Sequence, residues 1–233
     1  MFYGKLKAIT FSFDDGVTQD IRLIEILDKY GMKGTFNLNS ELLGVKSTAQ
    51  IDGKIISHKK VNKAEVNEIY KNHEVAVHTL NHPNLTTLDE KEIIRQVEMD
   101  RRNLSELTGY EVLGMAYPRG GVNNDDRVAN IIKNHTGVKY ARTITSTYSF
   151  DMQENIYRFN PTIYHLDNER LFELGEKFIK LKPDTPKLFY IWGHSYENDI
   201  DDNWNKFEEF CRLMSNKEDI FYGTNKEVFC DKI

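Results

Sequence analysis

Residues 8–38 read AITFSFDDGVTQDIRLIEILDKYGMKGTFNL, and this stretch decides the architecture. The apolar, β-branched and aromatic run at 8–13 predicts a strand that stops at Asp14-Asp15-Gly16. Apolar groups return at Ile21, Ile24, Leu27 and Tyr30, so a helix is expected over 18–30, with Gly31 as its stop. A second strand follows at 33–38. Strand, helix and strand in so short a span make a βαβ unit, whose two strands lie parallel.

The same alternation continues outward. A polar loop at 44–60 leads to a helix over 62–72 and a strand over 74–77. Thr87 and Glu90 have the spacing of a capping box. They would open a long helix to residue 108, with Ile93, Ile94, Val97, Leu104 and Leu107 inward and Gly109 ending it. Further strands are expected at 112–117, 138–143, 187–192 and 219–222, and helices at 125–134, 168–181 and 202–215. The last of these helices would bury Trp204, Phe207, Cys211 and Met214. The segment 144–167 carries weaker signals, with one short strand expected near 156–160. No repeat, low-complexity tract or linker interrupts the pattern. The expectation is an α/β fold, one domain over 1–233. A count of about seven or eight strands favours an irregular (β/α) barrel over an open sheet, although alternation alone fits both.

Composition narrows the class. Hydrophobic residues make up 39 % of 233, enough to bury a core, which excludes a disordered chain. The net charge of −5 is spread without a Lys/Arg cluster, so no nucleic-acid partner is expected. Cys211 and Cys230 form no C-x-x-C and read as buried thiols. The start, MFYGKLK, lacks the apolar core of a signal peptide, and no apolar run reaches the ~20 residues of a membrane span. A soluble cytoplasmic protein with no membrane partner is expected; a secreted form trimmed of its leader would read the same.

In parallel α/β folds the chemistry sits where strands end. Past the first strand come Asp14, Asp15 and Gly16, and past the third come His78 and His82 in His78-Thr-Leu-Asn-His-Pro83. Past the fourth are Pro118, Arg119 and Gly120, the fifth ends near Arg142, and 187–192 runs into Gly193 and His194. Adjacent strand residues point to opposite faces, so Asp14 and Asp15 can share a pocket only if the chain turns, which Gly16 permits. Read alone, Asp-Asp-Gly is a turn that caps a helix. His78 and His82 would face the same way on one helical turn, and neutral imidazole is a common zinc ligand. By itself H-x-x-x-H fits two loop histidines equally well. With a carboxylate from another strand end it completes a three-ligand set that leaves room for water and substrate. His194 reads equally as a functional or a capping residue, and His58, His73, His135 and His165 read as ordinary histidines. Tyr148, Phe150, Trp192 and Tyr196 could line a groove, with core packing at least as good a reading.

Thr10-Phe-Ser-Phe-Asp-Asp-Gly16, His78-Thr-Leu-Asn-His-Pro83 and the strand running into His194 resemble, in order and spacing, the signature motifs of the polysaccharide deacetylases, carbohydrate esterase family 4. The similarity spans residues 8–230. It implies a distorted (β/α) barrel that removes N- or O-linked acetyl groups from a carbohydrate, the expected partner. It implies Asp15, His78 and His82 as ligands of one divalent metal, usually zinc and in some members cobalt, nickel or iron. Asp14 matches the general base, His194 the general acid, and a backbone N–H near Tyr117 would hold the oxyanion. Two motifs depart from the pattern. The family's Arg-x-Pro-Tyr, whose arginine orients the aspartate, is here Met115-Ala-Tyr-Pro-Arg-Gly120, so the guanidinium would come from Arg119 or Arg142. The Asp-x-x-Asp-Trp motif is not recognisable, and Val138-Lys-Tyr-Ala-Arg-Thr143 fills its region, which leaves the substrate open. Two rival readings stand beside this one: a same-fold amidase or imidase acting on a non-glycan C–N bond, and a non-catalytic glycan-binding barrel.

Overall fold

All eight residues of the first strand, β1 (Lys7–Asp14), are buried, as expected of a parallel strand covered on both faces. Its alternation sorts the two layers. Ile9, Phe11 and Phe13 join the main apolar core, while Ala8 packs with Phe159, Leu188 and Tyr190 in a second, smaller cluster. On that second side Thr10 Oγ1 donates to Asn225 Oδ1 at 2.8 Å, and Ser12 Oγ accepts from Asn37 Nδ2 at 2.9 Å. One face of β1 is thus oily and the other small and polar.

The structure, a computed structural model, describes residues 2–51, 53–200 and 203–230. The other strands are β2 (Gly34–Leu38), β3 (Thr48–Ile51), β4 (Lys54–Ser57), β5 (Glu74–Val77), β6 (Gly114–Ala116), β7 (Tyr140–Arg142), β8 (Ile163–Tyr164), β9 (Lys187–Gly193) and β10 (Ile220–Tyr222). Seven of them form a curled parallel sheet in the order β7-β6-β5-β2-β1-β9-β8. β9 pairs with Lys7–Phe13 of β1; β10 takes Lys7–Ile9 and β2 takes Phe11–Asp14. Residues 159–165 tie the two edges together. On one side Phe159 N–H donates to Ala141 O and Thr143 N–H to Phe159 O; on the other Thr162 N–H donates to Tyr190 O. This is the expected α/β barrel in irregular form. The helices Asp20–Lys29, Asp126–His135, Asn168–Lys180 and Asn203–Met214 bury one face each. No helix among the described residues is long and apolar enough to cross a membrane.

Several local expectations need correction. The loop 44–60 contains the antiparallel hairpin β3–β4, and Asp52-Gly53 in the sequence is its overlooked turn signal. The first helix buries Leu23, Ile24, Ile26 and Leu27, whereas Ile21 is 45 % exposed. The helix expected at 62–72 shrinks to a 3-10 turn and the short Val66–Ile69. Thr87 does not cap the long helix. Asp89 does, accepting from Glu92 N–H at 2.9 Å, and Arg95–Met99 of that helix is a π-turn. The strand expected near 156–160 is a 3-10 turn over Ile156–Arg158, and the strand proper comes later, as β8. Residue 202, the expected start of the last long helix, lies outside the described residues.

Candidate active site at the carboxyl ends of the strands

β1 delivers Asp14 to the barrel interior, and the next residue reverses the chain. Asp15 has φ 84° and Gly16 φ 60°, a left-handed pair that swings the second carboxylate back to the same cleft. A side-chain carbon at Gly16 would lie 2.9 Å from Leu38 Cγ, so the tight packing under the corner also favours glycine. The strained turn is held by the chain that follows the hairpin. Val61 N–H donates to Gly16 O at 3.0 Å, Thr18 N–H to Lys59 O at 2.8 Å, and Lys60 Nζ to Asp15 O at 2.6 Å. Lys60 Nζ is also 3.2 Å from Asp15 Oδ1, and His58 Nε2 is 3.3 Å from Asp15 Oδ2. Burial would raise the Asp15 pKa, but His58, Lys60, His194 and His78 together outweigh it and hold the carboxyl well below the usual range. His58, read from sequence as an ordinary loop histidine, therefore touches the site, and Lys60 was missed altogether. The Asp-Gly pair at 52–53 of the sequence, read as a hairpin signal, could have brought both into view.

His78 and His82 do not lie on a helical turn. Thr79 and His82 have φ 70° and 66°, so the two rings meet across a loop with their centroids 4.8 Å apart. His78 Nδ1 sits 2.9 Å from the Ala116 carbonyl oxygen, which assigns the proton to Nδ1 and leaves Nε2 as a lone pair facing the cleft. Burial lowers the pKa of both imidazoles, that of His82 to about 3, so both are neutral at pH 7. Donor atoms of Asp15, His78 and His82 all lie within 4.8 Å of one another.

Asp14 has its own partners. Arg142, fully buried, places Nη2 2.6 Å from Asp14 Oδ2 and also reaches Oδ1; Asn37 Nδ2 donates to Oδ1 at 2.8 Å. The Arg142 guanidinium is stacked 4.7 Å from the Trp192 ring. Arg119 is not the partner: its Nε donates to His82 O at 2.9 Å, on the rim. Of the two arginines left open by the sequence, Arg142 is the one in contact with Asp14. Tyr117 lines the cleft, but its backbone N–H donates to Arg142 O at 3.0 Å, and its hydroxyl donates to Tyr157 O at 2.8 Å. The Tyr117 N–H is thus committed to Arg142 O, so an oxyanion donor near Tyr117 would have to be a neighbouring N–H.

His194 closes the far wall. Its Nδ1 lies 3.2 Å from Glu197 Oε1, close enough for strong Coulombic attraction but off the hydrogen-bonding direction. Burial disfavours a charged imidazole here, yet Glu197, Asp15 and Asp14 more than compensate and raise the pKa to about 9. His165, taken from sequence as ordinary, is buried with Nε2 3.0 Å from Glu197 Oε2. Trp192 and Tyr196 line the cleft, whereas Phe150 packs in the core on Phe178 and Phe189, and Tyr148 lies outside under Arg170. The cleft encloses about 280 Å³. A larger depression of about 380 Å³, near Lys33, His73 and Lys226, opens at the opposite end of the strands, away from these groups.

A family profile described as Polysaccharide deacetylase matches residues 4–141, more than half of the chain. No curated protein matches the sequence. Among solved structures, the peptidoglycan N-acetylglucosamine deacetylase Bc1960, in complex with 4-naphthalen-1-yl-N-oxidanyl-benzamide, is similar at TM-score 0.62 and 15 % identity, over 99 % of this chain and 91 % of that one. The family 4 carbohydrate esterase from Streptomyces lividans, in complex with acetate, is similar at TM-score 0.54 and 11 % identity, over 91 % and 88 %. A CE4 family pseudoenzyme from Bacillus anthracis is similar at TM-score 0.56 and 18 % identity, over 96 % of this chain and 65 % of its own. The chain spans 61 % of the Streptococcus pyogenes deacetylase PplD. At such identities the likeness is one of fold.

Proposed function

The chain belongs to the polysaccharide deacetylase family, and from that premise we propose that it hydrolyses an N- or O-linked acetyl group from a carbohydrate, using one divalent metal held by Asp15, His78 and His82. The observation that carries this reading is the convergence of those three donors within 4.8 Å, with Asp14 beside them but held separately by Arg142. The donor set fits such a metal. One carboxylate is kept ionised, two imidazoles are kept neutral, and the ring of His78 is locked by a carbonyl oxygen. Two nitrogens and one oxygen suit zinc among the divalent metals and would leave coordination positions open. A metal bound there supplies Lewis acidity toward an acetyl carbonyl and a water of lowered pKa.

The chain's own residues do the rest. Asp14 takes the proton as water attacks the acetyl carbon, while Arg142 and Asn37 hold its carboxylate in place. His194, charged at neutral pH, faces the same cleft and gives a proton to the departing amine or alkoxide. The C–N or C–O bond breaks, leaving acetate and the free amine or alcohol. Trp192 and Tyr196 offer aromatic faces against which a sugar ring can lie.

The test is acetate release from chitooligosaccharides, peptidoglycan fragments, acetylated xylan and a simple acetyl ester. Each is assayed as purified, after chelation and after zinc is returned. Release that falls on chelation and recovers with zinc supports the reading. Release indifferent to chelation favours a metal-free amidase or imidase, and glycan binding without release favours a non-catalytic barrel.

A further inference from the structure

We propose that Glu197 and His165 are positioning residues for His194: the Glu197 carboxylate, held from behind by His165, fixes the His194 ring so that Nε2 faces the cleft and the ring stays charged. The inference rests on the reading of His194 as the acid of a deacetylation.

Three observations carry it. First, the contacts run in series. His165 Nε2 is 3.0 Å from Glu197 Oε2, and Glu197 Oε1 is 3.2 Å from His194 Nδ1. Second, His165 has one sensible tautomer. Its Nδ1 is buried with no hydrogen-bond partner among the described residues and, unlike His194 Nδ1 with Glu197 Oε1 3.2 Å away, faces no carboxylate, so the single proton belongs on Nε2, aimed at Glu197. Third, the backbone is shaped for this ring. His165 N–H donates to Trp192 O at 2.8 Å, and any side-chain carbon at Gly193 would collide with the His165 imidazole. The other groups facing this unit are Asp14 and Asp15 across the cleft, Tyr196 and Trp192 beside the His194 ring, and the Tyr164 hydroxyl at Glu197.

A purely structural role is also open to Glu197, because its Oε2 accepts the His194 backbone N–H at 3.2 Å and so caps the turn Ser195–Asp199. Glu197→Gln separates the two roles. The amide oxygen can still cap the turn and accept from His165, but it brings no charge to His194.

The experiment compares two substrates. One is an N-acetylated sugar, whose amine must be protonated to leave. The other is an aryl acetate, whose phenolate leaves without a proton. Glu197→Gln is expected to lower kcat on the sugar about 100-fold with KM nearly unchanged, and to cost the aryl ester less than about threefold. Equal losses on both substrates, or no loss on either, overturn the proposal. His165→Leu is the second variant should Glu197→Gln fail to fold, with a smaller loss expected on the sugar alone. The unit is also read without turnover, by ¹⁵N shifts of the imidazole assigned through His194→Gln. Near about pH 7.5 His194 should be doubly protonated in the native protein and singly protonated in Glu197→Gln. Identical protonation in both overturns the proposal. If the native protein cleaves neither substrate yet the ring responds in this way, the deacetylase reading fails and the positioning unit stands.

Discussion

Two neighbouring aspartates at the end of β1 sit in contrasting surroundings. Asp14 continues the strand and meets a buried guanidinium; Asp15 leaves it at φ 84° and meets Lys60 and His58. Separate surroundings allow separate roles. Asp14→Asn should keep the metal, because Asp14 is outside the donor trio, and should lower kcat by about 100-fold or more. Metal content by atomic emission beside the acetate assay checks this; a variant that emerges stripped of metal refutes the division of labour. The two arginines differ in the same way. Arg142→Met leaves the Asp14 carboxylate buried without its cation and should cost about 3–5 kcal/mol of stability. Arg119→Met removes a rim contact to a carbonyl and should leave the melting temperature nearly unchanged. Thermal unfolding of both variants decides which arginine holds the base.

At the scale of elements, the loop 78–82 depends on a helix that contributes no residue to the lining of the cleft. The π-turn Arg95–Met99 frees the Gln96 carbonyl, which accepts from Leu80 N–H at 3.1 Å, while the Gln96 side chain donates to Asn81 Oδ1 at 3.0 Å. One turn later the buried Asp100 accepts from Ser40 N–H at 2.7 Å and from His78 N–H at 3.1 Å. These contacts hold a segment in which Thr79 and His82 are left-handed. Asp100→Asn keeps one acceptor oxygen for two N–H groups and should loosen the His78 backbone. We expect zinc affinity, measured by competition with a chromophoric chelator, to fall about 10-fold or more with the fold intact. An unchanged affinity would mean that the strand alone orients His78. Neither the π-turn nor Asp100 announces itself in the sequence, because both lie inside an uninterrupted helical pattern.

For the whole molecule, the stability of the fold is linked to the charge of its site. The folded-state pKa of His194 is raised from 6.5 to about 9, with burial opposing and Glu197 leading the groups that raise it. Folding therefore favours the protonated form. The resulting stabilisation is fully present below about pH 6.5 and is lost as pH rises through about 9. The native protein should lose melting temperature over that interval more steeply than His194→Gln, with the two curves converging above it. Parallel curves across the interval would show that the ring is not held charged by its surroundings.

The sequence by itself determined the alternation of strands and helices, the parallel sheet and the set of residues gathered at its carboxyl edge. These are local or periodic properties. Apolar and small or polar side chains alternate every two residues in β1, Gly16 and Gly109 mark backbone reversals, and residues just past a strand in a parallel sheet must meet at one rim. Only the tertiary structure decided which partner each of those residues has. Arg142 reaches Asp14 across 128 residues of chain because β7 curls round until its end faces β1 through the polar interior of the barrel. His58 and Lys60 reach Asp15 because a hairpin tail lies along the Gly16 turn, and His165 reaches Glu197 because β8 and β9 end side by side. Spacing along a chain records which face a side chain takes, but a contact between distant strands depends on sheet order and curvature, which the packing of the whole barrel sets.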